Sequence, residues 1–352
     1  MERLRCLDGL RGVLAVYVML SHMAPFACLP AWLLSVLSHG GAGVDVFFIL
    51  SGLVIVRSLE RFGYRSRPFL RARVVRIFPV YLAMLGLAIA AQPVPAGFDR
   101  MPWIGPDSPA RSIWSQGWPG DWATEIAAHL TMTHGLFPNG TLPDAWVSFL
   151  GAAWSLSTEW QFYLFALLLG RRALPALLGV AVVGAVWAAM APDAWQFSRA
   201  FLGNKAGYFA LGMASAGPVR GFRFIAVLTI LCGIVLWQGG GAKLVPPMVW
   251  VVCLWAESDR LWLSFVLRSR PAQWFGALSY SLYLANEPVQ KLLGIALARL
   301  AGGDGVWFTV LWIPGAIGLP VLLAMVSRRW IEVPALAWAR RGVYRLGYEN
   351  TR

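Results

Sequence analysis

The chain has 352 residues, of which 58% are hydrophobic and only 13% charged, with a mean hydropathy of +0.60. A water-soluble chain carries about a quarter charged residues, so this composition excludes one and points to a chain that crosses the bilayer many times. The net charge of +13 is large enough to raise nucleic acid as a partner, but its distribution argues against that.

Apolar runs predict ten membrane-spanning helices, at residues 9–29, 40–57, 77–92, 146–169, 173–191, 200–217, 224–240, 245–257, 273–298 and 305–327. With the N-terminus in the cytosol, Arg100, Arg111, Arg199, Lys243 and Arg299 fall outside, and Lys205 and Lys291 lie within spans. The remaining 23 of the 30 Lys and Arg then sit on the cytosolic side, which is the positive-inside pattern. The expectation is an all-α polytopic bundle of the cytoplasmic membrane, both termini cytosolic, with residues 1–352 as one domain and no appended soluble domain. The excess charge is topology, and nucleic acid is not an expected partner.

The first span carries Arg11 and His22. Eleven residues at about 100° each return a helix to within roughly 20° of its starting direction, so both side chains share one stripe about 16 Å apart. An ionisable ring in mid-bilayer is costly and faces a bundle interior, a partner or a pathway. Asp45 stands near the external start of the second span, placed to bind a ligand or to pair with a basic partner. Arg57, Arg61, Arg65, Arg67, Arg71, Arg73 and Arg76 form a basic run before the third span. Between Pro93 and Asp121 lie Trp103, Trp114 and Trp118 among prolines, a stiff loop offering either a stacking platform or an interfacial aromatic belt.

Glu125, His129 and His134 follow in a short helical pattern that reads as an amphipathic helix lying on the membrane surface; the spacing is not that of a zinc protease. Glu159 lies twelve residues before Arg171, hence about 18 Å above the cytosolic end of its span, a depth similar to that estimated for His22. Ser155 shares its face at i, i−4. Glu287 and Lys291 read as a structural i, i+4 pair, and Asn286 beside them can hydrogen-bond but cannot act as a base. Cys6, Cys28, Cys232 and Cys253 are scattered singly, which predicts packing roles with no disulfide framework and no metal site.

Five segments carry a resemblance. Arg5-Cys6-Leu7-Asp8-Gly9-Leu10-Arg11-Gly12 through Ser21-His22 resembles the opening helix of the membrane acyltransferase 3 family. Val44-Asp45-Val46-Phe47-Phe48-Ile49-Leu50-Ser51-Gly52 is similar to its second-helix signature, and Arg73-Val74-Val75-Arg76-Ile77-Phe78-Pro79-Val80-Tyr81 to its basic turn into the third helix. Trp154-Ser155-Leu156-Ser157-Thr158-Glu159 with Gln161-Phe162-Tyr163 resembles its acidic motif. Ser279-Tyr280-Ser281-Leu282-Tyr283-Leu284 with Pro288 is similar to its late-helix motif, and the likeness runs on to Ile331-Glu332-Val333-Pro334. One departure is Asn286, where the family often has histidine.

The resemblance implies a membrane O-acyltransferase that moves an acyl group, taken as acetyl, from acyl-CoA to a hydroxyl of a sugar, polysaccharide, lipid-linked or small glycosylated acceptor. Acyl-CoA is then a donor substrate, with no permanently bound cofactor and no metal. His22 is the implied general base, and Glu159 orients His22 or grips the acceptor. Arg11, Arg73 and Arg76 are the implied coenzyme A contacts, since arginine clamps phosphates with paired hydrogen bonds. Asp45, Ser155, Ser157, Tyr283 and Asn286 are expected at the acceptor. The competing reading is a proton-coupled transporter with His22 and Glu159 as the relay.

Overall fold

Each predicted apolar run carries helix in the computed structural model, which describes residues 4–114, 117–218, 221–257 and 262–339. The helices that frame the bundle are α1 (Arg5–Met23), α2 (Gly40–Arg61), α3 (Ser66–Ala91), α4 (Trp122–Leu130), α5 (Trp154–Leu169), α6 (Ala173–Met190), α7 (Ala206–Ala214), α8 (Phe222–Trp237), α9 (Val245–Glu257), α10 (Arg270–Ala301) and α11 (Gly305–Ser327). Among the described residues the only extended pairing is an isolated bridge between Pro138 and Phe197. The expected cytosolic ends, residues 1–3 and 340–352, lie outside the described residues.

Several boundaries differ from the sequence reading. α3 begins at Ser66, because arginine is a good helix former and the basic run coils as the first turns of the helix. Arg73 and Arg76 are therefore i, i+3 neighbours on one face. α5 starts only at Trp154, and α7 is nine residues long, about 14 Å, too short to cross a hydrocarbon core. All nine of its residues are buried, so α7 is a short helix enclosed by the bundle. Five segments are long and apolar enough to cross by themselves: Arg5–Phe26, Ala31–Arg61, Ser66–Ala91, Gly151–Met190 and Gly305–Ala339. With these spans the chain is a multi-pass membrane protein.

Close backbone approach sets the register. α1 crosses α10 through Gly12 and Gly276: a Cβ on Gly12 would run into the Ala272 carbonyl, and one on Gly276 into the Asp8 carbonyl. Small residues that let backbones touch are how helices associate where no hydrophobic drive exists between them. α2 and α7 meet the same way at Gly52 and Gly212. α1 and α2 run antiparallel, with Gly40 against Ser21 and Gly43 against Val18. That register brings Ser51 level with Arg11.

Within the Pro93–Asp121 segment, Trp103 and Trp114 pack onto the bundle instead of forming a belt. Trp114 is 1% exposed, stacked on Phe26 at 3.7 Å and against Trp312. The Trp103 indole donates to the Phe26 carbonyl at 3.0 Å, leaving Trp118 exposed. α4 likewise departs from a surface helix: Glu125 and His129 are buried, and the His129 ring stacks on His134 at 4.0 Å. Burial lowers His134 to about 4 and His129 well below the ordinary histidine value.

Candidate active site

α1 ends at Met23, so the half-buried His22 occupies its last turn and not the middle of a long span. Its Nδ1 lies 2.8 Å from Asn286 Oδ1. The Asn286 amide is itself fixed, because Nδ2 donates to the Tyr283 carbonyl at 2.6 Å. An amide nitrogen only donates, so Oδ1 is the atom facing the ring and Nδ1 must carry the proton. Nε2 then keeps its lone pair. Asn286 thus sets the tautomer of His22.

Glu159 lies elsewhere. Ser51 Oγ and the Tyr163 hydroxyl, the latter at 2.5 Å, both donate to Glu159 Oε1. Its charge acts on the Arg11 guanidinium, whose Nε is buried without a hydrogen bond. Arg11, Ser51, Ser155, Glu159, Tyr280 and Tyr283 line a cavity of about 70 Å³, room for two or three waters. His22 is eleven residues further along α1 than Arg11, about 16 Å of helix, and Ser51, which donates to Glu159, is level with Arg11. The similar depth expected for His22 and Glu159 therefore does not hold. The estimate took Arg11 as a marker of the membrane edge, whereas its side chain is drawn into the bundle beside Glu159. The orienting contact on His22 comes from Asn286.

Towards the Arg57 end of α2, Arg73 Nη2 donates to Ser58 Oγ at 3.2 Å, and its guanidinium lies over the Phe69 and Tyr163 rings. Arg76 is committed to a salt bridge with Glu332, whose other oxygen accepts from Ser281 at 2.8 Å. Glu332 sits in a π-helical turn, Arg328–Glu332, that follows α11. Such a turn re-aims side chains.

The remaining expected site residues divide. Ser155 Oγ pairs with the Tyr283 hydroxyl at 2.8 Å, and both line the Glu159 cavity. Ser157 does not: it donates to the Met132 carbonyl and accepts from the Gly135 N–H, tying α5 to that loop. Gln161 Nε2 also donates to it at 3.3 Å, so this fully buried hydroxyl is spent within the bundle. Asp45 takes the basic-partner alternative, with Lys205 Nζ 2.6 Å from Oδ1. Glu287 accepts from the Gly151 and Ala152 N–H groups at 2.9 and 2.7 Å, capping the start of the α5 segment.

Comparison with known proteins agrees with this arrangement of motifs. The acyltransferase 3 model, described as an acyltransferase domain, matches residues 4–329. The chain belongs to the acyltransferase 3 family. "Protein 2 in picA locus" of Rhizobium radiobacter is 32% identical over 93 residues, a stretch covering 25% of this chain and 46% of that protein. No solved structure matches.

Seen as a member of this family, the chain has partners that sequence reasoning passed over. Ser51 and Tyr163 lie inside quoted motifs, where hydroxyls among apolar neighbours were the available signal. Glu332 lies just past the residues that the family model matches, and no pairing with Arg76 could be read from its position. Lys205 carried the mirror-image signal as a cation inside a span.

Proposed function

We propose that this acyltransferase moves an acyl group from acyl-CoA to a hydroxyl of a carbohydrate-bearing acceptor, with His22 as the general base. The observation that carries the reading is the His22–Asn286 hydrogen bond, because it leaves Nε2 as the basic nitrogen in a motif position typical of the family. Nε2 takes the proton of the acceptor hydroxyl while its oxygen bonds to the thioester carbonyl carbon. The C–S bond then breaks, and the departing thiolate recovers the proton from His22.

Arg73 holds coenzyme A phosphate from the side bearing the Arg57–Arg76 run, and Arg76 joins when Glu332 releases it. Arg11, backed by Glu159, lines the route between that face and His22. Its cavity of about 70 Å³ is too small for a pantetheine arm, so donor entry displaces side chains such as Tyr280 and Tyr283. Glu159 in this reading is a positioning residue for Arg11. The bundle sits in the cytoplasmic membrane with both termini in the cytosol, the short α7 and its flanking turns together making one of the ten crossings.

Release of coenzyme A thiol from acetyl-CoA, measured in membranes with and without a glycan extract of the native cells, tests the reaction. Acceptor-dependent release supports it; proton movement without thiol release contradicts it. Arg73→Gln should raise the KM for acetyl-CoA several-fold with Arg73→Lys only partly restoring it, since the planar fork is lost.

A further inference from the structure

Three of the seven cations that fall off the cytosolic side gather in one place. Arg199, Lys205 and Lys243, contributed by separate stretches of chain, line one cavity of about 430 Å³. It lies at the Asp45 end of α2, opposite the Arg57 end, and is walled by α6, α7 and α8. Asp45 is the one carboxylate among the lining residues. It is buried and paired with Lys205, while Arg199 and Lys243 stand close enough to act on it electrostatically. Three cations against one acid leave two positive charges uncompensated by the lining.

The arrangement is held in place. The Tyr208 hydroxyl donates to the Lys243 carbonyl at 3.0 Å, fixing that backbone at the rim. Arg199 stacks over Trp146 at 4.9 Å and reaches Trp154 at 5.7 Å. Asn204 Nδ2 donates to the Ser198 carbonyl at 2.8 Å, closing the loop that carries Arg199. Both Arg199 and Lys243 are exposed, and neither makes a salt bridge among the described residues. Trp154 is the residue immediately before Ser155, so one helical turn walls this cavity and the Glu159 cavity alike.

We propose that this cavity binds a phosphate or carboxylate group of the acceptor, so that the enzyme acts on an anionic acceptor. Arg199 and Lys243 meet the oxyanion at the rim, and the Asp45–Lys205 pair forms a floor whose lysine supplies a third donor. Small and aliphatic residues of α6 and α8, Ala181, Ala185 and Leu231 among them, leave room beneath for the rest of the ligand. The name "acceptor" rests on the acyl-transfer reading; the anion site does not.

Isothermal titration of the full chain in phosphatidylcholine nanodiscs tests it, with glucose 1-phosphate, glucuronate, dihexanoyl phosphatidate and neutral glucose as probes. At least one anionic probe should bind tenfold or more tightly than glucose, and more weakly at high salt. Arg199→Gln/Lys243→Gln should lose at least tenfold of that binding. Both side chains are exposed, and an unchanged thermal midpoint verifies that the core is intact; Lys243→Glu alone should show the same loss. Binding of the sugar anions assigns a glycan source, and binding of phosphatidate alone assigns a lipid headgroup. Glucose binding as well as the anions, or undiminished anion binding in the double variant, overturns the proposal. Coenzyme A thiol release is measured in parallel. Release without anion binding removes this inference alone, and anion binding without release removes only the acyl-transfer reading.

Discussion

At the scale of single residues, the contact between His22 and Asn286 decides which imidazole nitrogen is basic. Asn286→Leu removes the acceptor for Nδ1–H and frees the ring to adopt either tautomer. It should lower kcat about tenfold or more while leaving the KM for acyl-CoA within twofold, measured by steady-state kinetics. A merely structural role would move both constants or neither. Glu332→Gln tests the other committed pair. It frees the Arg76 guanidinium, so the KM for acyl-CoA should fall or hold if Arg76 meets the donor phosphates, and Arg76→Gln should raise it. Single residues were the most legible level of the sequence. Asn286 stood out because it replaces a histidine, and Asp45 because a carboxylate near apolar neighbours needs a reason. The partners were not legible, since a one-dimensional chain does not show that residue 332 meets residue 76.

At the scale of elements, backbone contact does more than side-chain pattern. The α5 segment starts where it does because Glu287, 136 residues away from Gly151, receives its first N–H groups. Gly276→Ala places a methyl against the Asp8 carbonyl, and relief requires α1 and α10 to part. A loss of about 1–3 kcal/mol is expected, read as a lower thermal midpoint in detergent. The His129–His134 stack supplies a pH dependence. His134 titrates at about 4 when folded against 6.5 as a free side chain, so the unfolded chain binds its proton first. That stability is fully present above about pH 6.5 and is lost as pH falls towards 4, at up to about 1.4 kcal/mol per pH unit. Thermal midpoints from pH 7 to pH 5 should decline, and His134→Phe, which keeps a ring in the stack, should flatten the decline. Helix existence was legible from apolar runs, but boundaries were not. The basic turns of α3 and the short, fully buried α7 both violate the assumption that a helix in a membrane is one uniform apolar rod.

At the scale of the whole molecule, the bundle is directional: a basic face for the donor, His22 towards the far end of α1, and a cationic cavity at the opposite end of α2. The cationic asymmetry read from the sequence predicts that an Arg65→Cys variant resists a membrane-impermeant thiol reagent in intact cells, while a Ser108→Cys variant reacts. With the exposed Cys28 replaced by Ser in both, labelling of the first would invert the topology and with it the donor side. The similar depth expected for His22 and Glu159 was measured from cationic residues taken as membrane edges, whereas Arg11 lines a cavity inside the bundle. The central claim is that His22 takes the proton from the acceptor hydroxyl. It is tested most directly by mass spectrometry of surface glycans and secreted metabolites from native cells carrying the wild type or His22→Ala, normalised to the amount of inserted protein. General-base catalysis contributes about 10² to 10⁴ in rate, so the account predicts an acyl increment in the wild type that falls at least a hundredfold in the variant. Equal acylation by a stably inserted His22→Ala protein would contradict it.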